Sequence, residues 1–156
     1  MKTKTRIKTK NKGYHYTQCG LDNVWLANGY SVSKEGHVKI NDILELHEVI
    51  GMALVNKGSV LNPKEVRYIR HHMDLSQKTF GTRLGVTNQA VMGWEKGETL
   101  PPSMDKFIKT TYYSFLNRDG DKSVYDFFTE LAEMDAQEHD EEIQLKEVDD
   151  RWDIAA

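Results

Sequence analysis

Cysteine is nearly missing from this chain: Cys19 stands alone among 156 residues, so no internal disulfide is available. Long apolar runs are missing too, and none approaches the ~20 residues needed to cross a bilayer. The first residues are lysine and threonine rather than an apolar signal core; with the lone thiol, this gives the expectation of a reducing cytoplasm. The six histidines show no His-x-x-x-His spacing, and no Cys-x-x-Cys pair occurs, so no metal site is expected. A glycine-rich phosphate loop is absent, and Cys19 has no placed base or oxyanion donor. The expectation is therefore a protein without cofactor and without enzymatic activity.

A large charge excess is also lacking, since the formal net charge is −3. That figure conceals an uneven distribution. Residues 1–12 hold six bases and no acid, giving +6; residues 13–118 hold 12 bases and 10 acids, giving +2; residues 119–156 hold 14 acids against three bases, giving −11. A nearly neutral body with a basic arm and an acidic tail suits jobs done at the ends. Residues 1–12 bury almost nothing apolar and read as a disordered arm, either a phosphate or minor-groove tether or a solubilising end.

From Gly13 to Ile40 short β-type runs alternate with turn signals: Tyr14–Thr17, Val24–Leu26, Tyr30–Val32 and His37–Ile40. Asn28-Gly29 is the strongest hairpin cue among them. Two or three strands are too few to stand alone, so they should pack on the next helix. That helix starts at Asn41 or Asp42, with Ile43, Leu46, Ile50 and Leu54 at helical spacing. Asn62, Pro63 and Glu65 open another, with Val66, Ile69 and Met73 inward. After Pro101-Pro102, Ser103 is the expected cap of a helix carrying Phe107, Ile108, Tyr112 and Phe115. Val124, Phe127, Phe128 and Leu131 then line an amphipathic helix. Leu145, Val148 and Trp152 repeat the helical spacing among acids, either as a frayed tail, as a segment that folds on a basic partner, or as a screen for the chain's own nucleic-acid-facing side.

The most informative stretch runs from Leu75 to Gly97. Ser76 has the chemistry of an N-cap, Phe80 and Leu84 form one apolar face, and Gly85 supplies a left-handed stop. Thr87 caps a second short helix with Val91 and Trp94 on its inner side and Gly97 at its end. Two short helices joined by a glycine-containing turn make a helix-turn-helix. The second helix fits a DNA major groove about 12 Å wide, with Thr87, Asn88, Gln89, Met92 and Gly93 expected to face outward. Asn and Gln can bond an adenine edge, and Thr a phosphate or a thymine methyl. Gln77 and Lys78 are placed for backbone phosphates.

Leu75-Ser76-Gln77, Leu84-Gly85-Val86-Thr87 and Trp94-Glu95-Lys96-Gly97 resemble the pattern of the phage-repressor (Cro/CI, or XRE) helix-turn-helix family over roughly Pro63 to Leu116. The resemblance implies an ion pair between Arg70 and Glu95 and a DNA-binding set of Gln77, Lys78, Thr87, Asn88, Gln89, Met92 and Lys96. Gly81 and Gly93 depart from the family, the first usually alanine and the second often a base-reading side chain. Tyr14–Tyr30 is similar to MqsA/YgiT-type antitoxins, but with Cys19 alone the zinc of their cysteine pairs does not carry over. Trp25, Tyr14, Tyr16 and Leu26 must hold that sheet instead.

The expected fold is α+β, mainly α. A small N-terminal antiparallel β-sheet plus helix (13–58) follows the arm (1–12). A five-helix lambda-repressor-like helix-turn-helix domain (59–118) and an acidic helical extension (119–156) complete it. The implied function is sequence-specific transcriptional repression by a prokaryotic cytoplasmic homodimer bound to double-stranded DNA at a palindromic operator, as an antitoxin-type autoregulator of its own operon. The alternatives are an antitoxin whose first duty is to bind a toxin protein, and a free-standing regulator of a mobile element.

Overall fold

The computed structural model describes residues 13–119, 125, 126, 129 and 145–154. Among them, helices alternate with small antiparallel sheets. The basic arm, and Val124, Phe127, Phe128 and Leu131 of the expected amphipathic helix, lie outside the described residues; residues 125, 126 and 129 are helical.

Four short strands come first: β1 (Tyr14–His15), β2 (Trp25–Leu26), β3 (Tyr30–Val32) and β4 (Val38–Ile40). They form two separate pairs, β1 with β2 and β3 with β4, rather than one sheet. The Asn28-Gly29 cue therefore does not join paired strands, contrary to expectation. Gly29 instead ends one ladder, its carbonyl accepting from the Asn41 amide at 2.9 Å. The turn that closes β3 on β4 lies at Ser33–His37, where Gly36 has φ +85° and the Ser33 amide donates to His37 at 2.8 Å.

Five helices follow among the described residues: α1 (Ile43–Val55), α2 (Pro63–His72), α3 (Gln77–Leu84), α4 (Asn88–Lys96) and α5 (Pro102–Leu116), so 59–118 holds four helices where five were expected. Asp42 caps α1, its carboxylate accepting from the Glu45 amide. Asn62 and Glu65 cap α2 reciprocally, each side chain accepting from the other's backbone amide at 2.9 Å. Ser103 does not cap α5: Pro101 holds the cap position, and Pro102 opens the helix without a side-chain bond. Proline's fixed φ suits the first helical position, where its missing amide would find no helical partner anyway, so the helix starts before Ser103.

One core unites the strands and helices. Tyr16, Leu21 and Leu26 join Ile50, Leu54, Val66, Ile69, Phe80, Leu84, Val91, Ile108 and Tyr112 in a single buried cluster. Of the residues expected to hold the small sheets, Tyr16 and Leu26 are buried and Tyr14 packs against the cluster. Trp25 stays 37% exposed and stacks on His15 at 4.2 Å. Ile43, expected inward on α1, is exposed.

The expected helical spacing of Leu145, Val148 and Trp152 is overturned. This segment is a hairpin of β5 (Leu145–Val148) and β6 (Arg151–Ile154), paired antiparallel. Asp149 and Asp150 take φ +50° and +58° between them. Two successive left-handed residues make the two-residue turn that matches strand twist, and aspartate tolerates that geometry better than most side chains.

Candidate nucleic-acid interface

The site is built on α3, α4 and the turn between them. Ser76 Oγ accepts from the Thr79 amide at 3.0 Å and so fixes the start of α3. Gly85, at φ +70°, ends it, and the Val86 amide bonds back to the Gly81 carbonyl at 2.9 Å. An added Cβ on Gly81 would stand 2.9 Å from the Val86 carbonyl oxygen, so the missing side chain lets the turn close tightly. Thr87 Oγ1 then accepts from the Ala90 amide at 3.1 Å and starts α4 only two residues past Gly85.

Val91 and Trp94 anchor α4 from behind, both buried. An ionic lock reinforces them. Arg70 Nε donates to Glu95 Oε1 at 2.8 Å, its Nη2 to Oε2 at 3.4 Å, and its Nη1 to the Leu75 carbonyl at 3.0 Å. Arg70 and Glu95 side chains are only 10% and 6% exposed. The Gln77 amide also donates to Glu95 Oε2. Gln77 is therefore engaged within the molecule rather than standing clear for a phosphate, because a buried carboxylate needs more donors than one guanidinium supplies.

Outward, Thr87, Gln89 and Lys96 are exposed on α4, and Lys78 is exposed on α3. Met92 is half-buried. Asn88 is half-buried too, with its Oδ1 enclosed and unpaired, so it is not the fully outward side chain expected. Gly93 is covered rather than open, because the Glu98 carboxylate lies against it. Sequence reasoning missed Glu98; the glycine before it, which reverses the chain, was the available signal. It also missed Arg83, whose Nη1 donates to Tyr125 at 2.7 Å.

Behind α2 lies a second polar cluster. His47 Nε2 and Tyr16 Oη are 2.9 Å apart, Tyr68 donates to the His47 carbonyl at 2.9 Å, and His72 Nδ1 meets the Tyr112 hydroxyl. Burial lowers both histidines from their ordinary values and raises Tyr16, Tyr68 and Tyr112. Beside β2 and α1 an open apolar groove of about 510 Å³ is lined by Leu21, Val24, Trp25, Leu46, Val49 and Ala53, among others.

No protein-family model, curated protein or solved structure matches this chain. Among the described residues, no helix is long and apolar enough to cross a membrane.

Proposed function

We propose that this protein is a sequence-specific DNA-binding repressor of the helix-turn-helix type, with α4 as the helix that enters the major groove. The observation that carries the reading is the two-sided character of α4. Its inner side is fixed by Val91, Trp94 and the Arg70–Glu95 pair, while Gln89 and Lys96 stand exposed on the other and Thr87 is exposed at its leading end. A short helix held this firmly from behind, with amide and cationic side chains in front, is equipped to read base edges. Lys78 and Lys96 serve phosphates, and Thr87, Gln89 and Met92 face bases, whereas Asn88 keeps its Oδ1 enclosed. The resemblance to phage repressors supports the same assignment and adds a homodimer on a two-fold operator, half-sites about 34 Å or a multiple apart. It further adds autoregulation of the protein's own operon.

The test is binding of the full chain to its own promoter at low salt. Gln89→Ala is expected to cost ~1–3 kcal/mol on the cognate site and to relax one base position. An equal loss on random DNA contradicts the assignment.

A second reading is favoured by the apolar surface of α1, where Leu44 is 77% and Val49 60% exposed beside the groove. Such a face suits a protein partner, as an antitoxin sheathing a toxin requires. Co-purification of a protein encoded next to this one supports that role; normal repression by the chain alone favours a free-standing regulator.

A further inference from the structure

We infer that Glu98 reads a cytosine, its carboxylate filling the base-facing place that Gly93 leaves empty on α4. The inference rests on the proposal that α4 enters the major groove. At 3.6 residues per turn, Gln89, Gly93 and Lys96 share the side of α4 opposite Val91. Gly93 sits in the middle of that side and contributes no side chain.

The end of the helix determines what lies there instead. Gly97, at φ +116°, reverses the chain, and the Glu98 amide bonds back to the Gly93 carbonyl at 2.9 Å. In this type of helix ending, the side chain after the glycine folds over the residue whose carbonyl it caps, usually as an apolar pair. Here the pair is glutamate on glycine. A Cβ built on Gly93 would stand 2.1 Å from Glu98 Oε2 and 2.6 Å from its Cδ. The carboxylate thus occupies the place where a side chain at position 93 begins, and glycine is what leaves it room. Glu98 is exposed, and no hydrogen bond or ion pair holds its carboxylate among the described residues.

An ionised carboxylate only accepts hydrogen bonds. In the major groove guanine and thymine offer it acceptors, adenine sets an acceptor beside its amino group, and cytosine presents its N4 amino group. Cytosine is therefore the base this group selects, while the exposed amide of Gln89 suits adenine. The carboxylate also repels phosphates, so it lowers affinity for random duplex and sharpens selection.

The experiment is selection of binding sites from a random duplex pool by the full chain and its variants. Wild type is expected to enrich a motif with a C·G pair at one position of each half-site. Glu98→Gln should lose that preference, leave the other positions unchanged, and bind the wild-type site about 5- to 150-fold more weakly. Gly93→Ala should relax the same position by displacing the carboxylate. Matched thermal unfolding of the variants separates these effects from misfolding. An unchanged motif for a folded Glu98→Gln overturns the role of Glu98 while leaving DNA reading intact. Enrichment of no motif by wild type overturns both.

Discussion

Gly51 shows how one hydrogen atom governs the packing of two helices. A Cβ at this position of α1 would stand 2.2 Å from the Tyr112 hydroxyl and 2.8 Å from its ring, and Tyr112 on α5 is 0% exposed. Alanine gains helix propensity of about 1 kcal/mol over glycine. Against this stand overpacking of about 1–3 kcal/mol and the displaced bond between Tyr112 and His72. Gly51→Ala is therefore expected to lower stability by about 1–2 kcal/mol in urea unfolding, despite the better helix former. Adding Tyr112→Phe removes the clashing oxygen, so the double variant should be more stable than the sum of the single losses. Strict additivity would show that the two residues do not meet. Nothing in the spacing of α1 reveals this contact, because glycine at a mid-helix position looks merely permissive until its neighbour is known.

Among the elements, α2, α3 and α4 are joined through a single carboxylate. Glu95 receives Arg70 from α2 and Gln77 from α3, all within α4's buried flank. Removing one partner of a buried pair leaves the other charge without compensation, so Glu95→Ala should cost about 3–5 kcal/mol in chemical denaturation. Replacing both, as Arg70→Met with Glu95→Leu, should recover most of it, since the desolvation cost of the pair disappears as well. A double variant as unstable as the single one would mean that packing, not charge, dominates. Legibility follows the same local logic. Ser76, Gly85, Thr87 and Gly97 mark α3 and α4 because caps act within one turn of chain, and each of them is found at a helix end. The strands were less legible because pairing depends on distant partners: Asn28-Gly29 has the right turn chemistry, yet Gly29 bonds to Asn41. The Asp149-Asp150 turn was hidden by an apolar spacing that suits a helix as well as a hairpin. At the candidate site the exposure of Gln89 followed from helical periodicity, whereas the half-buried Asn88 and Met92, the Gly93 covered by Glu98 and the inward Gln77 depend on how the chain folds back.

At the scale of the whole molecule, the histidine cluster is where the N-terminal strands, α1, α2 and α5 meet. The rings of His47 and His72 lie 6.3 Å apart. Tyr16 and Tyr68 face His47, while Tyr112 and Glu48 face His72, with Arg118 3.9 Å from Glu48. Burial is the leading cause that holds both histidines below their ordinary value, and the Glu48 carboxylate, 3.8 Å from His72 Nε2, opposes it only in part. The unfolded chain therefore binds protons first as pH falls through about 6.5, and the folded one only lower. Stability from these two groups is full above that value and declines below it, the opposite of what a histidine paired with a carboxylate alone produces. Thermal unfolding followed from about pH 7.5 to 5.5 should show a falling midpoint, with His72→Asn shallower in slope because one of the two titrating rings is gone. A midpoint that rises on acidification would mean that protonated His72 is welcomed by Glu48 and that burial is the weaker influence. The consequence reaches the candidate interface, since α2 carries both His72 and Arg70: loosening the cluster by acid should weaken the proposed DNA binding only where the fold itself begins to open, and the two titrations should coincide.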